Sequence, residues 1–107
     1  MNSEINNIYN VCKHIADGKL IEEIDIIFIE ELSELIKSIT KLQRWTFGDE
    51  FLRCNYIDIT DNIYEELADV IITMFQFIHK NEISCKDITE KISEKIIRYY
   101  ETISDKK

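Results

Sequence analysis

The sequence contains no proline and only two glycines, Gly18 and Gly48, among 107 residues. Proline and glycine are the residues that most often interrupt helices, so their scarcity favours a few long helices over many short strands. An apolar content of 45% beside a charged content of 32% is typical of a globular chain and argues against a disordered one. The length predicts one domain, residues 1–107.

Other absences exclude whole classes of partner. No apolar run approaches the ~20 residues of a membrane-spanning helix, and the first residues lack the basic and then apolar layout of a signal peptide. The net charge of −8 argues against nucleic acid as the main partner, because phosphate backbones require basic surfaces. The three widely spaced cysteines, Cys12, Cys54 and Cys85, are typical of reduced thiols. We therefore expect a cytoplasmic protein with neither a membrane nor a nucleic-acid partner.

Apolar residues recur at helical spacing in four segments, which predicts four helices. The expected bounds are 3–17, 20–44, 60 or 62 to 79, and 84–103, and residues 45–59 are expected to be irregular because they contain several turn formers. Asn62 with Glu65, and Ser84 with Asp87, have the spacing of helix-capping pairs. We predict an all-α bundle of four helices. Its second helix is expected either to be central or to pack also against a second subunit.

Two pairs of carboxylates lie within the second and third predicted helices. Glu31 and Glu34 are three residues apart, as are Glu66 and Asp69, so each pair shares one helix face. Packing of the apolar stripes of the two helices would bring these carboxylates together at the edge of the contact. The stripes comprise Leu32, Leu35, Ile36 and Ile39 in one helix and Ile63, Leu67, Val70, Ile71 and Met74 in the other.

Four converging carboxylates repel one another unless they are protonated or hold a cation. An all-oxygen cluster suits a hard cation, Mg²⁺ first and Mn²⁺ second. Acidic residues at this spacing also occur on solvated helix faces, and a single pair would favour that interpretation. Two pairs, each followed at once by core-type residues, favour a metal site.

The two acidic motifs together resemble those of the MazG-like all-α nucleoside triphosphate pyrophosphohydrolases. Residues 30–35 read E-E-L-S-E-L and residues 65–70 read E-E-L-A-D-V. These match the family patterns E-E-x-x-E-L and E-E-x-x-D-V, and the resemblance extends over residues 24–103. Thirty-one residues separate Glu34 from Glu66, which is more than is usual in the family, and the extra length follows Trp45.

The resemblance implies a Mg²⁺-dependent enzyme that hydrolyses nucleoside or deoxynucleoside triphosphates to the monophosphate and pyrophosphate. Glu31, Glu34, Glu66 and Asp69 would hold the metal, for which Mn²⁺ is the alternative. Glu30 is the candidate catalytic residue, either orienting the attacking water or binding a further ion. A surface position is the alternative interpretation of Glu30.

Four further residues are candidates for substrate binding. Lys41 is seven residues from Glu34 on nearly the same face, so it is a candidate phosphate ligand, and ordinary solvation explains it equally well. Trp45 is the candidate for stacking on a nucleobase, with packing over the core as the alternative. Lys95 and Arg98 match the Lys-x-x-Arg of the family's last helix, which implies phosphate binding. The alternative for this pair is an exposed basic face.

The run Ile26, Ile27, Phe28 and Ile29 predicts self-assembly. Consecutive helical residues step by about 100° around the axis, so these four side chains cannot all face one neighbour. A monomer would therefore leave an apolar patch in water. We expect a homodimer or a dimer of dimers, which the resemblance also implies, with the site at or near the subunit boundary.

Two other classes of protein fit part of the pattern. A carboxylate-bridged di-iron bundle requires Glu-x-x-His, and neither His14 nor His79 lies three residues after a glutamate. A non-catalytic acidic helical protein with an interaction or regulatory role is the remaining alternative. Such a protein would show no stabilisation by Mg²⁺.

Overall fold

Four α-helices make up the ordered elements of the computed structural model, which describes residues 3–49 and 55–105. They are α1 (Ser3–Asp17), α2 (Ile21–Thr46), α3 (Tyr56–Lys80) and α4 (Cys85–Asp105). The described residues contain no strand, which confirms the predicted all-α fold of four helices. Cys54, predicted to be a reduced thiol, lies outside the described residues.

The start of α3 is the largest error in the predicted helix bounds. The helix begins at Tyr56, four to six residues earlier than expected, so residues 56–59 are not irregular. Asn55 is the residue that caps it, because its side-chain oxygen accepts a hydrogen bond of 2.8 Å from the backbone N–H of Asp58. The cap predicted at Asn62 is therefore wrong. The cap predicted for α4 is confirmed, since the Ser84 hydroxyl accepts a 3.2 Å bond from the N–H of Asp87.

The C-terminus of α2 is closed by a glycine in the left-handed conformation. Gly48 has φ +74°, and its N–H donates to the carbonyl of Trp45 at 3.0 Å. The next N–H, that of Asp49, donates to the carbonyl of Arg44 at 2.9 Å. This pair of bonds is the Schellman arrangement that satisfies the last carbonyls of a helix.

The C-terminus of α3 uses the same arrangement without a glycine. Glu82 has φ +54° and donates its N–H to the carbonyl of His79 at 3.2 Å, while Ile83 donates to Ile78 at 3.0 Å. A residue with a Cβ is strained in this conformation, by roughly 1–2 kcal/mol. The linker from α3 to α4, residues 81–84, therefore contains a strained residue.

α2 and α3 are antiparallel neighbours. Near one end the rings of Phe28 and Phe77 lie 5.1 Å apart between centroids, and further along Ser38 donates a hydrogen bond to the side chain of Asn62. Low residue numbers on α2 thus meet high residue numbers on α3. This register determines which side chains of the two acidic motifs meet.

α1 packs on the other side of α3 and runs parallel to it. The ring of Tyr9 meets that of Phe75 edge-on at 5.2 Å, and His79 Nε2 lies 2.7 Å from Asp17 Oδ1. The helix in contact with both neighbours is therefore α3. A central position for the second helix is wrong within one chain, and its packing against a second subunit stays a prediction. The buried apolar side chains lie along these contacts and comprise Cys12, Ala16, Ile24, Ile59 and Ile78.

α4 lies away from the other three helices. Every residue from 89 to 104 is exposed, and a polar contact to the rest of the chain comes from its first residue, Cys85, whose thiol donates to the Tyr9 hydroxyl at 3.6 Å. The Cα radius of gyration is 17.5 Å, against about 13 Å for a compact chain of this length. The apolar stripe of α4 was expected to lie in the core. In the structure Ile88 is half-buried, and the rest of the stripe is exposed, namely Ile92, Ile96, Tyr99 and Ile103.

None of the described helices combines the length and the hydropathy that crossing a lipid bilayer requires.

Candidate metal centre

Three carboxylates from two helices converge in the contact between α2 and α3. Glu31 of α2 and Glu66 and Asp69 of α3 each place a carboxylate oxygen within 4.8 Å of the other two. Glu31 and Glu66 are half-buried, whereas Asp69 is exposed. The antiparallel register brings the middle of α2 opposite the middle of α3, and the i, i+3 spacing then turns both acidic residues of α3 toward Glu31.

The electrostatics of this cluster favour a bound cation. Burial raises the pKa of Glu31, and the neighbouring charges of Asp69, Glu66, Glu34 and Glu30 raise it further, in that order. Among residues 3–49 and 55–105, no lysine, arginine or histidine forms an ion pair with any of the three clustered carboxylates. No ion pair in the described residues offsets their charge, and three carboxylates fit the oxygen preference of Mg²⁺ or Mn²⁺.

The two remaining acidic candidates on α2 lie outside this cluster. Glu34 Oε1 lies 3.2 Å from Lys37 Nζ, and both side chains are at least half exposed. Glu30 is exposed beside Glu31. Sequence spacing places Glu34 one turn from Glu31, but the side chain is directed to its own helical neighbour. The metal role of Glu34 and the catalytic role of Glu30 stay predictions.

The helix contact that holds the cluster also differs from the predicted one. Of the nine apolar residues expected to form it, five are exposed and four are half-buried. The exposed ones are Leu32, Ile36, Ile39, Leu67 and Ile71, and the half-buried ones are Leu35, Ile63, Val70 and Met74. Glu31 and Glu66 are half-buried and Asp69 is exposed, which is the burial expected of carboxylates at the edge of the contact. Partial burial of Glu31 is the first cause of its raised pKa, ahead of the neighbouring charges.

A polar pair formed by buried Ser38 and half-buried Asn62 lies two turns along the same contact, a role that was not predicted for either residue. Ser38 is only 3% exposed, and its hydroxyl donates to Asn62. Ser38 is seven residues after Glu31, so the periodicity that aligned the acidic residues would also have placed it on this face. On α3, the hydroxyl of buried Thr73 donates to the carbonyl of Asp69 at 2.8 Å, which ties the site to the next turn.

Two of the substrate candidates lie on α2 beyond the cluster. At 1.5 Å per residue, Lys41 is about 15 Å and Trp45 about 21 Å along the axis from Glu31. Lys41 lines a pocket of about 160 Å³ together with Asp58, Ile59 and Asn62. The ring of Trp45 packs on Tyr56, with 4.9 Å between centroids. Neither side chain meets the carboxylates of its own chain.

The other two substrate candidates lie on α4. Lys95 and Arg98 are exposed on the part of the helix that projects from the rest of the molecule. The structure therefore separates them from the carboxylate cluster within one chain. Only a second copy could bring such a residue to the cluster without moving α4.

An all-α chain with an all-carboxylate cluster between two antiparallel helices defines a class of helical protein with a candidate divalent-metal centre. Comparison with known families makes this specific, since residues 19–103, which span α2, α3 and most of α4, match the MazG nucleotide pyrophosphohydrolase domain. The chain belongs to that family. Searches of curated proteins and of solved structures give no significant match.

Proposed function

We propose that this protein is a Mg²⁺-dependent pyrophosphohydrolase that converts nucleoside or deoxynucleoside triphosphates to the monophosphate and pyrophosphate. The observation that carries the proposal is the convergence of Glu31, Glu66 and Asp69 within 4.8 Å, without a protein cation in the described residues, in a chain of this family. Mn²⁺ is the alternative ion, because it accepts the same oxygen ligands.

In this proposal the cluster has the task of holding the metal next to the phosphates. Glu31, Glu66 and Asp69 would bind it, and Glu34 is near enough in sequence to serve as a fourth ligand. When bound, Mg²⁺ supplies positive charge at the phosphate oxygens and lowers the pKa of a water. Glu30, exposed beside Glu31, would accept the proton of the attacking water at a carboxylate oxygen.

We also propose that the protein acts as a homodimer or a dimer of dimers. The exposed apolar surface supports this, since Ile26 and Ile29 are 56% and 62% exposed while Phe28 packs on Phe77. Further exposed apolar residues continue along α2 and α3, namely Leu32, Ile36, Ile39, Tyr64, Leu67 and Ile71. A soluble monomer would rarely leave such a surface in water. A second copy would cover it and could bring Lys95 or Arg98 to the carboxylates.

The test is a panel of ribo- and deoxyribonucleoside triphosphates incubated with Mg²⁺ and scored for pyrophosphate and orthophosphate. Pyrophosphate and the monophosphate are expected as the first products, with none formed in the presence of a chelator. Orthophosphate as the first product would rule out cleavage between the α and β phosphates. If the protein shows no turnover and Mg²⁺ does not stabilise it, the result would instead favour the non-catalytic interaction protein.

A further inference from the structure

A small pocket lies along the α2–α3 contact, next to the buried side chain of Ser38. Its volume is about 160 Å³, and it is lined by Lys41, Asp58, Ile59 and Asn62. Pockets that take a whole drug-sized ligand measure about 300–1,000 Å³. This pocket therefore has room for one ring of a ligand and not for a whole nucleotide.

The pocket and the carboxylate cluster lie along the same line of contact between the two helices. A carboxylate oxygen of Glu31 lies within 4.8 Å of one of Glu66, and further along Ser38 donates to Asn62. Asn62 is four residues before Glu66 on α3, so one helical turn, about 6 Å, separates them along the axis. Asp58 is one turn further, at about 12 Å. A group bound in the pocket would thus sit one to two turns from a metal held by the cluster.

The orientation of the Asn62 amide leaves a hydrogen-bond donor for the pocket. Ser38 is 3% exposed, and its hydroxyl donates to Asn62 Oδ1, so the amide oxygen already has a partner. The amide NH₂ donates to no group among residues 3–49 and 55–105. Because most polar side-chain groups that are withdrawn from water have a partner, a free donor on a half-buried side chain favours a ligand that accepts.

Lys41 and Asp58 add a charged donor and a charged acceptor to the same pocket. Within the part of the chain that the structure describes, neither side chain forms an ion pair or a hydrogen bond. Lys41 is about 15 Å along α2 from Glu31, so it lies at the end of the pocket remote from the cluster. The pocket therefore offers two donors, the ammonium of Lys41 and the amide of Asn62, and one acceptor, the carboxylate of Asp58.

Pyrimidine bases carry the complementary groups on the edge through which proteins read unstacked bases. Cytosine presents two acceptors, O2 and N3, and an amino donor, and uracil presents two carbonyl acceptors and an N–H donor. Adenine and guanine each present a single acceptor on this edge. Either purine would thus leave one of the two donors of the pocket without a partner, and an unpaired donor weakens binding.

We propose that this pocket binds the base of a pyrimidine nucleoside triphosphate, with Lys41 and Asn62 donating to the base and Asp58 accepting from it. The proposal rests on the pyrophosphohydrolase function proposed above and adds the class of substrate. The base and the α-phosphate of a nucleotide lie on opposite sides of one sugar, which matches the one to two turns between pocket and cluster. The phosphate nearest the base, at the linkage that is cut, would then lie at the metal. Lys41 is assigned to the base and not to a phosphate.

The first test measures binding without Mg²⁺ and without turnover. Protein labelled with ¹⁵N is titrated with CMP, UMP, AMP and GMP in the presence of a chelator, and the NMR signals of the Asn62 side-chain NH₂ and the Asp58 backbone N–H are followed. CMP and UMP are expected to shift both signals and to bind about tenfold more tightly than AMP and GMP, the difference that one hydrogen bond makes. Equal affinities, or no shift of these signals at millimolar nucleotide, would overturn the proposal.

The second test compares kcat/KM for dCTP, dUTP, dATP and dGTP with Mg²⁺. The parent is expected to prefer the pyrimidines by about tenfold. Asn62→Asp keeps the acceptor for Ser38 and removes both N–H donors, so the preference should disappear. Asp58→Asn replaces a charged acceptor by a weaker neutral one and should reduce the preference. Asp61→Asn makes the same change in charge one turn away, outside the pocket, and should leave the preference unchanged. A preference that survives in Asn62→Asp would overturn the proposal.

The two tests separate this inference from the function on which it rests. Release of pyrophosphate from all four triphosphates at similar rates would keep the enzyme and overturn the pyrimidine pocket. Selective binding of CMP and UMP at Asn62 without any release of pyrophosphate would keep the pocket and overturn the enzyme. Circular dichroism checks that each variant is folded.

Discussion

The α2–α3 contact and the α4 helix both have charged residues at helical spacing, but these residues converge in the contact and are exposed to solvent on α4. In the contact, Glu31, Glu66 and Asp69 come from two helices and meet within 4.8 Å. On α4, Lys95 and Arg98 share a face but meet no partner helix of the same chain. Spacing along one helix aligns charges, and only a second helix in the right register concentrates them.

The same contrast exists within α2 alone. Glu31 and Glu34 are one turn apart, but the first is half-buried against α3 and the second pairs with Lys37 on the surface. A carboxylate that has lost water and faces like charges needs a cation, whereas an exposed one next to a lysine does not. The following substitutions test whether this difference between converged and solvated charges is functional.

The largest expected effect is that of Asp69→Asn, which removes one proposed metal ligand from the cluster and keeps the size of the side chain. A metal that stabilises charge at the phosphates contributes several kcal/mol, so turnover should fall by roughly a thousandfold. Glu65→Gln, which makes the same change in charge on an exposed neighbour, should retain activity within a factor of about three. Equal losses in both variants, measured as kcat/KM with Mg²⁺, would mean that bulk charge rather than the cluster matters.

Lys95→Ala should have a smaller effect, because one charge-assisted hydrogen bond to phosphate contributes roughly 1.5–3 kcal/mol. We expect kcat/KM to fall at least about tenfold, mainly through KM. Lys86→Ala, at the start of the same helix, is the matched control and should change little. If Lys95→Ala retains full activity, the basic residues of α4 (Lys91, Lys95 and Arg98) form a solvated face without a role in binding phosphate. The carboxylates of the α2–α3 contact would then be functional and the charges of α4 would not.

Glu31→Gln should stabilise the metal-free protein at pH 7. Because the pKa of Glu31 is raised by folding, its contribution to stability is fully present below the unfolded value, about 4.3, and is lost as the pH rises through the folded value. The variant avoids this loss, so it should gain up to about 1 kcal/mol, the repulsion of two charges 4.8 Å apart in water.

Thermal unfolding with and without Mg²⁺ measures this gain, with Glu23→Gln in the exposed first turn of α2 as the control. The advantage of Glu31→Gln should shrink toward pH 4, where the parent carboxylate is protonated, and Mg²⁺ should stabilise the parent more than the variant. A variant that is less stable without metal would show that Glu31 has a structural role.

The smallest expected effect concerns the C-terminal ends of α2 and α3. α2 ends on Gly48 at φ +74°, whereas α3 ends before Glu82 at φ +54° on the way to α4. Glu82→Gly should stabilise the fold by about 0.5–1 kcal/mol, because only glycine adopts this conformation without strain. Gly48→Ala should destabilise it by about 1 kcal/mol. Urea denaturation measures both, and a destabilised Glu82→Gly would show that the Glu82 side chain stabilises the linker.

Much of the architecture could be predicted because helical periodicity is a local property. The spacing of Ile5, Ile8 and Cys12 predicts α1, and Ser3 and Gly18 predict its bounds. The Ser84 and Asp87 pair predicts the start of α4. The start of α3 was missed because two asparagines, Asn55 and Asn62, both have an acidic residue three positions later. A local pattern cannot choose between two equivalent caps. In the structure Asn55 caps α3, and Asn62 lies inside the helix and accepts the bond from Ser38.

By itself, the sequence determined that the chain is helical and acidic, that it contains two pairs of carboxylates, and that the residues of each pair share a helix face. Each of these depends on the 3.6-residue period, which is set within a single helix. The tertiary structure decided that Glu31 rather than Glu34 joins Glu66 and Asp69, and that α4 projects from the other helices. Those outcomes depend on the register and packing of separate helices, which residue spacing along one helix does not contain.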